Sequence, residues 1–327
     1  MSFAFTTRLP LSRHAVDRDH SARANPELFD ALWADARTRV VALWNGKALI
    51  AGRGEHESGD DVPRLALLAP DRLPPSELRI YLGLSLDDSS AEPVGTPLVA
   101  AQLGDDAARA LEPDESRWAS LRELATSLSD RDAGAFAEAL GLLNWHKSHT
   151  HCPRCGTAST VEDSGWTRRC PTCGSQVFPR TDPAVIVLIT DSADRILLGS
   201  NAMWENNRYS LLAGFVEPGE SLEAAVIREM FEETGLRVTD PVFMGSQPWP
   251  FPASLMCGFT ARLDDGQHAD GLLPDGEEIL ELRWFSRDEL RASTGTVVLP
   301  GPSSIARGML EQWLGEPIAP GPDWVRG

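Results

Sequence analysis

No apolar run in this chain of 327 residues is long enough to cross a bilayer; the longest, residues 184–189, falls far short of the roughly 20 residues a spanning helix needs. The opening segment MSFAFTTRLPLSRH has no continuous apolar stretch of the kind a signal peptide carries, so a soluble, cytoplasmic protein with no membrane partner is expected. Positive charge is also short. Thirty Lys and Arg against 48 Asp and Glu leave a net charge of -18, which argues against an extended surface for nucleic acid or anionic lipid, since both need clustered cations. One local exception is the group Arg154, Arg168, Arg169 and Arg180, which suits either phosphate binding or a solvated rim. There is no internal repeat and no low-complexity tract.

Cysteine is scarce, five in all, and four fall in two knuckles: Cys152-Pro-Arg-Cys155 and, after fourteen residues, Cys170-Pro-Thr-Cys173. Two CxxC pairs at that separation fit a tetrahedral four-thiolate zinc site, and Gly156 and Gly174 just after each pair suit the tight turns. A pair of disulfides is the alternative, but nothing here points to secretion. Four protein ligands close the site, so one structural zinc per chain is expected rather than a catalytic one. His149 and His151 flank Cys152 and read as surface histidines. Cys257, in an apolar stretch, reads as a buried small side chain rather than a nucleophile.

Residues 214–236 read GFVEPGESLEAAVIREMFEETGL. Pro218 and Gly219 break the chain, Ser221 can cap a helix start, and Gly235 can supply the left-handed residue that ends it. Between them Leu222, Val226 and Met230 recur every four residues as one buried stripe. Glu229 and Glu233 share another face, with Glu232 adjacent to both. Three carboxylates so close repel one another unless cations sit among them. Hard divalent cations such as Mg2+ or Mn2+ take oxygen ligands and also bind phosphate oxygens, so the cluster reads as a metal-diphosphate site. A solvated acidic face paired with Arg228 is the commoner fate of a Glu-rich helix, but the surrounding glycines and the fixed spacing favour the metal site.

A third cluster, residues 246–252, reads SQPWPFP and is followed by Ala253 and Ser254. Three prolines alternating with two aromatics exclude a regular helix or a central strand, so a stiff loop presenting Trp249 and Phe251 is expected. On composition alone a hydrophobic plug for the core edge is as good a reading.

The set Gly214, Glu220, Arg228, Glu229, Glu232, Glu233 and Gly235, with apolar Met230 and Leu236, resembles the Nudix hydrolase motif at every fixed position. At about 6% usage per residue type, seven such matches arise by chance about once in a million chains of this length, so coincidence is set aside. SQPWPFP downstream of that box resembles the NADH pyrophosphatase subfamily, as do Asn144-Trp145-His146, residues 178–186 and Ser304-Ile-Ala-Arg307. The likeness runs from about residue 144 to 310.

The resemblance implies an α+β protein: a Nudix α/β/α sandwich with a mixed sheet, preceded by a zinc ribbon and an N-terminal α+β domain. It implies hydrolysis of the pyrophosphate bond of NADH or NAD+ to nicotinamide mononucleotide, reduced or oxidised, plus AMP. NAD-capped RNA 5' ends carry the same bond and are a related substrate. Glu229, Glu232, Glu233 and Arg228 map to the catalytic positions. Two or three Mg2+ or Mn2+ ions map to those three glutamates, Glu278 and the backbone carbonyl of Ala213; Glu277 adjoins Glu278, and the alignment can slip by one. Substrate contacts map to Phe178, Phe215, Gln247, Pro248, Trp249, Pro250, Phe251, Pro252, Ala253, Ser254 and Ala306. A homodimer is implied, with Phe178 and Phe215 sandwiching a base across it. Phe178 stands where a tyrosine is common, so stacking survives without a phenolic hydrogen bond. Gly165 precedes Trp166 where an acid often does. Hydrolysis of ADP-ribose or dinucleoside polyphosphates would keep this chemistry and change the pocket. A non-catalytic NAD-sensing or nucleic-acid-binding ribbon module would have no need of the intact glutamates.

At this length about two domains are expected, each large enough for its own core. The division read here is an N-terminal domain at 1–146, a ribbon at 147–178, a hydrolase domain at 179–315 and a tail at 316–327. Asn45-Gly46 between apolar runs 40–44 and 47–50 signals a two-residue hairpin. Further strands are expected at 65–68, 79–84, 98–103, 184–190, 195–199, 259–263 and 282–285. Trp118, Leu121, Leu124 and Leu128 take helical spacing, as do Phe136, Leu140 and Leu143, so two helices should lead into the ribbon; a closing helix is expected at 305–314.

Overall fold

The computed structural model describes residues 2–52, 62–88, 92–201, 207–293 and 295–319; the expected tail lies outside the described residues from position 320 onward. The chain forms two compact units. One comprises Met1–Ser12, Asp182–Pro248 and Ser254–Gly327, the other Arg13–Thr181 and Trp249–Ala253. Numbered along the chain, the helices are α1 (Ser2–Thr6), α2 (Leu28–Ala34), α3 (Asp105–Leu111), α4 (Leu121–Leu124), α5 (Asp130–Ser148), α6 (Leu222–Thr234), α7 (Arg287–Ala292) and α8 (Ile305–Leu314). Among the described residues no helix is long and apolar enough to cross a membrane.

In the unit built mainly from Arg13–Thr181, strands β1 (Val16–Asp17), β2 (Arg39–Trp44), β3 (Lys47–Leu49), β4 (Leu67–Leu68), β5 (Leu78–Ser85), β6 (Pro97–Gln102) and β7 (Trp118–Ser120) make one sheet. Its order is β1-β5-β6-β2-β3-β7, with β4 alongside β2. The hairpin between β2 and β3 turns at Asn45 and Gly46, with φ of 50° and 76°, the paired left-handed geometry that a two-residue turn requires. The helical spacing from Trp118 to Leu128 misleads. Trp118 lies in β7, paired with Leu49, and α4 begins only at Leu121, because Ser120 and Glu123 form a capping box that fixes the helix start there. The second expected helix is α5, capped by Ser129, whose side chain accepts from Asp132 N. After α5 come β8 (Thr160–Glu162), β9 (Thr167–Arg169) and β10 (Gln176–Val177), a separate sheet in the order β10-β9-β8.

The other unit holds β11 (Asp182–Thr190), β12 (Ile196–Asn201), β13 (Leu212–Phe215), β14 (Val238–Trp249), β15 (Ser254–Leu263) and β16 (Ile279–Phe285). The sheet order is β14-β15-β11-β12-β16, with β13 on β11; β11 runs parallel to β15 and antiparallel to β12 and β13, so the sheet is mixed. Successive side chains of a strand point to opposite faces. Val185, Val187 and Ile189 of β11 pack with Ala225, Val226 and Met230 of α6, while Ile186 and Leu188 pack with Ile305, Met309 and Leu310 of α8. Two helical layers thus enclose one sheet, the expected α/β/α sandwich. Phe5 and Leu9 join the α8 side of that core.

The segment 246–252 differs from the expected loop in its first half. Ser246–Trp249 continues β14 to its end, and only then does the chain turn. β14 is the edge strand of the sheet, the position in which a strand tolerates proline, since one of its sides has no ladder to break.

Candidate active site

Helix α6 is punctuated as its sequence requires: Ser221 Oγ accepts from Ala224 N at 3.2 Å, and Gly235 ends it at φ 71°. Arg228 organises the acids around it. Its Nε and Nη2 each lie 2.9 Å from the two oxygens of Glu220, a bidentate pair, and Nη2 also donates to Phe215 O at 3.0 Å. Its Nη1 reaches Glu232 at 2.9 Å and Glu229 at 3.0 Å. Glu220 in turn accepts from Glu217 N, so the loop before α6, the end of β13 and two glutamates of α6 are fixed through one guanidinium. Gly214 has a separate reason to be glycine. A Cβ there would lie 2.0 Å from Glu229 Cδ and 2.2 Å from each of its oxygens.

Glu233 stands apart from this network. It is 5% exposed and its Oε2 is buried without a hydrogen-bond partner. Burial pushes its carboxyl up to about 9, and the charges of Glu229, Glu278, Asp275 and Glu232 push in the same direction. Burial likewise raises Glu229, against the pull of Arg228. An orphaned buried carboxylate in a field of other carboxylates suits hard divalent cations, so the donor set fits the expected metals. Among the described residues only the cysteine cluster has its ligand atoms within 4.8 Å of one another; the glutamate oxygens do not converge so closely, and Glu232 is held by Arg228.

Glu278 is carried on the turn into β16. Asp275, which sequence reading missed, accepts from the backbone N–H groups of Glu277, Glu278 and Ile279 at 2.9, 3.0 and 2.8 Å, and Asn201 Nδ2 donates to Glu278 Oε1 at 3.3 Å. The only local signal for Asp275 was the Asp-Gly pair at 275–276. Ala213 pairs with Ile186 between β13 and β11. Gln247 is fully buried; its Nε2 donates to Ser303 O at 3.0 Å and its Oε1 has no partner. Ala306, in the first turn of α8, is also buried. Phe215 is 59% exposed.

In the other unit Cys152, Cys155, Cys170 and Cys173 bring their sulfurs within 4.8 Å of one another, as four ligands of one zinc must be. Phe178 is 62% exposed. The arginines near the ribbon are not one phosphate-binding patch. Arg168 is buried, donating from Nε to Ser159 Oγ and from Nη1 to His146 Nδ1 at 3.0 Å, while Arg169 is held by Glu162. His146 Nε2 then donates to Gly165 O at 2.8 Å, and burial lowers that imidazole to about 4, so it is neutral. Trp249 and Phe251 meet edge to face at 5.0 Å between centroids, beneath the guanidinium of Arg122, which lies 4.2 Å from the Phe251 ring. Asn144 Nδ2 donates to Pro250 O and Pro252 O. Of the remaining predicted contacts, Pro248 and Pro252 are exposed, Pro250 is buried, and Ala253 and Ser254 are half-buried.

Gly214 of β13 is kept small by Glu229, and α6 carries both the arginine that grips three acids and a buried carboxylate, Glu233, so the residues of the Nudix motif act as one unit, as an enzyme that cleaves pyrophosphate bonds requires. The family model of the NUDIX domain matches residues 180–301; that of the NADH pyrophosphatase zinc ribbon domain matches 147–178, and that of the NADH pyrophosphatase-like rudimentary NUDIX domain matches 37–145. Over 327 residues the chain is 37% identical to the NAD-capped RNA hydrolase NudC of Mycobacterium bovis, covering 93% of this chain and 94% of that protein. To the NAD-capped RNA hydrolase NudC of Stutzerimonas stutzeri it is 37% identical over 212 residues, 63% of this chain and 73% of that one. A crystal structure of a NUDIX hydrolase from Nitrosomonas europaea overlays with a TM-score of 0.41 at 23% identity, covering 53% of this chain and 97% of that one. The chain belongs to the zinc-ribbon NADH pyrophosphatase subfamily of the Nudix hydrolases.

Proposed function

We propose that the protein hydrolyses the pyrophosphate bond of NADH and NAD+, adding water across it to release AMP and the corresponding nicotinamide mononucleotide, and that it acts on the same bond in NAD-capped RNA 5' ends. The observation that carries this reading is the 37% identity to an NAD-capped RNA hydrolase along 93% of the chain, together with the SQPWPFP segment. Glu229, Glu232, Glu233, Glu278 and the carbonyl of Ala213 would hold the divalent ions. Bound there, Mg2+ or Mn2+ supplies charge neutralisation for the diphosphate and a lower pKa for the attacking water. Glu278 is favoured over Glu277 because its charge is among those acting on Glu233. Arg228 orients Glu229 and Glu232, and Glu220 holds Arg228. Trp249 and Phe251, with exposed Phe178 and Phe215, offer rings for stacking on base or nicotinamide.

The same reading takes the working form to be a cytoplasmic homodimer, and divides the chain at 1–146, 147–178 and 179–315, followed by a tail. The test is incubation of purified protein with NADH, NAD+ and ADP-ribose, with Mg2+, Mn2+ or EDTA, and chromatographic identification of products. Metal-dependent release of AMP with reduced nicotinamide mononucleotide, faster from NADH than from ADP-ribose, is expected. A folded, zinc-loaded protein that cleaves none of them, and leaves NAD-capped RNA intact, overturns the proposal.

A further inference from the structure

The last turn of α5 carries three consecutive side chains engaged in three directions. Asn144 Nδ2 donates to Pro250 O at 2.9 Å and to Pro252 O at 3.1 Å; Trp145 is buried; His146 is locked between Gly165 O and Arg168 Nη1. The two carbonyls that Asn144 engages lie on either side of Phe251. A proline ring fixes φ but leaves ψ, the angle that aims its carbonyl, to be set by something else. By holding both carbonyls, one amide sets ψ at Pro250 and Pro252 and so fixes the backbone that presents the Phe251 ring against Trp249. The remaining backbone bond in the turn, Phe251 N to Trp249 O at 2.7 Å, closes it from within. Pro250 also packs on the same helix, its Cβ 3.8 Å from where a Cβ on Gly141 would stand.

We propose that Asn144 is the positioning residue for the Trp249 and Phe251 pair and governs substrate affinity through that pair. The inference rests on the reading that this segment recognises the dinucleotide. Asn144 itself contributes no charge; its role is to keep two carbonyls aimed. Because His146, two residues on, is gripped by the buried Arg168 of β9, the end of α5 that carries Asn144 is also anchored to the zinc ribbon.

Steady-state kinetics with NADH on the full chain test this with Asn144→Ala, Asn144→Asp, Asn144→Gln, Trp249→Ala and the Asn144→Ala/Trp249→Ala double variant, each first matched to the parent in melting temperature and zinc content. Loss of two neutral hydrogen bonds should raise KM in Asn144→Ala by roughly five- to tenfold, with kcat changed by less than about twofold. Asn144→Asp, equal in shape but without the donor, should be worse, and Asn144→Gln should recover part of the loss. If Asn144 acts through the aromatics, the double variant should be no worse than Trp249→Ala by more than about twofold, since coupled residues are not additive. An unchanged KM in folded Asn144→Ala or Asn144→Asp, or effects that simply multiply, overturns the proposal. A wild-type KM in Trp249→Ala instead removes the reading of the segment itself, and the inference falls with it.

Discussion

Gly214→Ala separates the site from the scaffold. The added methyl would stand 2.2 Å from both Glu229 oxygens, which must retreat by about 1.2 Å to reach an ordinary 3.4 Å contact. Glu229 can do so, because the clash falls on the end of a flexible side chain and not on backbone. Its 3.0 Å approach to Arg228 Nη1 then opens and the carboxylate leaves the place from which it is proposed to hold a divalent ion. A displacement near 1 Å in a catalytic constellation costs on the order of a hundredfold in rate. Gly214 needs no left-handed backbone, so the fold should tolerate alanine. The expected outcome is a variant whose melting temperature and zinc content match the parent while kcat for NADH, measured as AMP released at saturating Mg2+ or Mn2+, falls about a hundredfold. A kcat within about threefold of the parent would refute the claim that this glycine exists to seat Glu229.

Two further predictions concern the other unit. Glu138 in α5 is buried, lies 3.3 Å from Arg18 and is pushed by burial up to about 7. An acid raised from 4.5 in the unfolded chain to about 7 in the fold loses stability as pH rises through that window, at about 1.4 kcal/mol per unit and so about 3 kcal/mol at most. Glu138→Gln should therefore gain thermal stability over the parent between pH 5 and pH 8, and a difference that stays flat or reverses contradicts it. His146, lowered from 6.5 to about 4, has the opposite sign, its stability being lost as pH falls through that range, so the variant-minus-parent difference is the informative readout. Elemental analysis should find one zinc per chain, lost in Cys170→Ser together with a marked drop in melting temperature, since structural zinc sites contribute folding energy directly; parent protein free of zinc and unaffected by chelator would refute the site.

What could be read from the sequence was what is local. The start and stop of α6 follow from Ser221 and Gly235, and its buried stripe from period four, none of which needs a distant partner. The hairpin at Asn45-Gly46 and the four cysteines are equally local. Trp118 was misread because Leu121 and Leu124 complete a helical period by accident, while pairing with Leu49, far off in sequence, decides its conformation. The run at 246–249 reads as loop until its strand is known to be an edge. Asn144 stands out only as part of the Asn144-Trp145-His146 resemblance and Asp275 only in an Asp-Gly pair; neither signal carries a role, since each residue acts by bonding carbonyls or N–H groups whose position only the folded chain defines. Arg168 looked like part of a surface patch, and no periodicity announces that His146 and Ser159 bury it.

Phe5 and Leu9 belong to the core that α8 completes, and Thr6 and Ser12 bond the backbone of Ser246. On the ribosome these residues emerge about 300 positions before Met309 and Leu310, a delay of about 15–60 s at typical elongation rates. All of the ribbon and its neighbouring sheet can form in that interval, while the catalytic core stays open along one face. A chain shortened by its first dozen residues should thus be impaired in the hydrolase domain, at the opposite end of the gene from the cut.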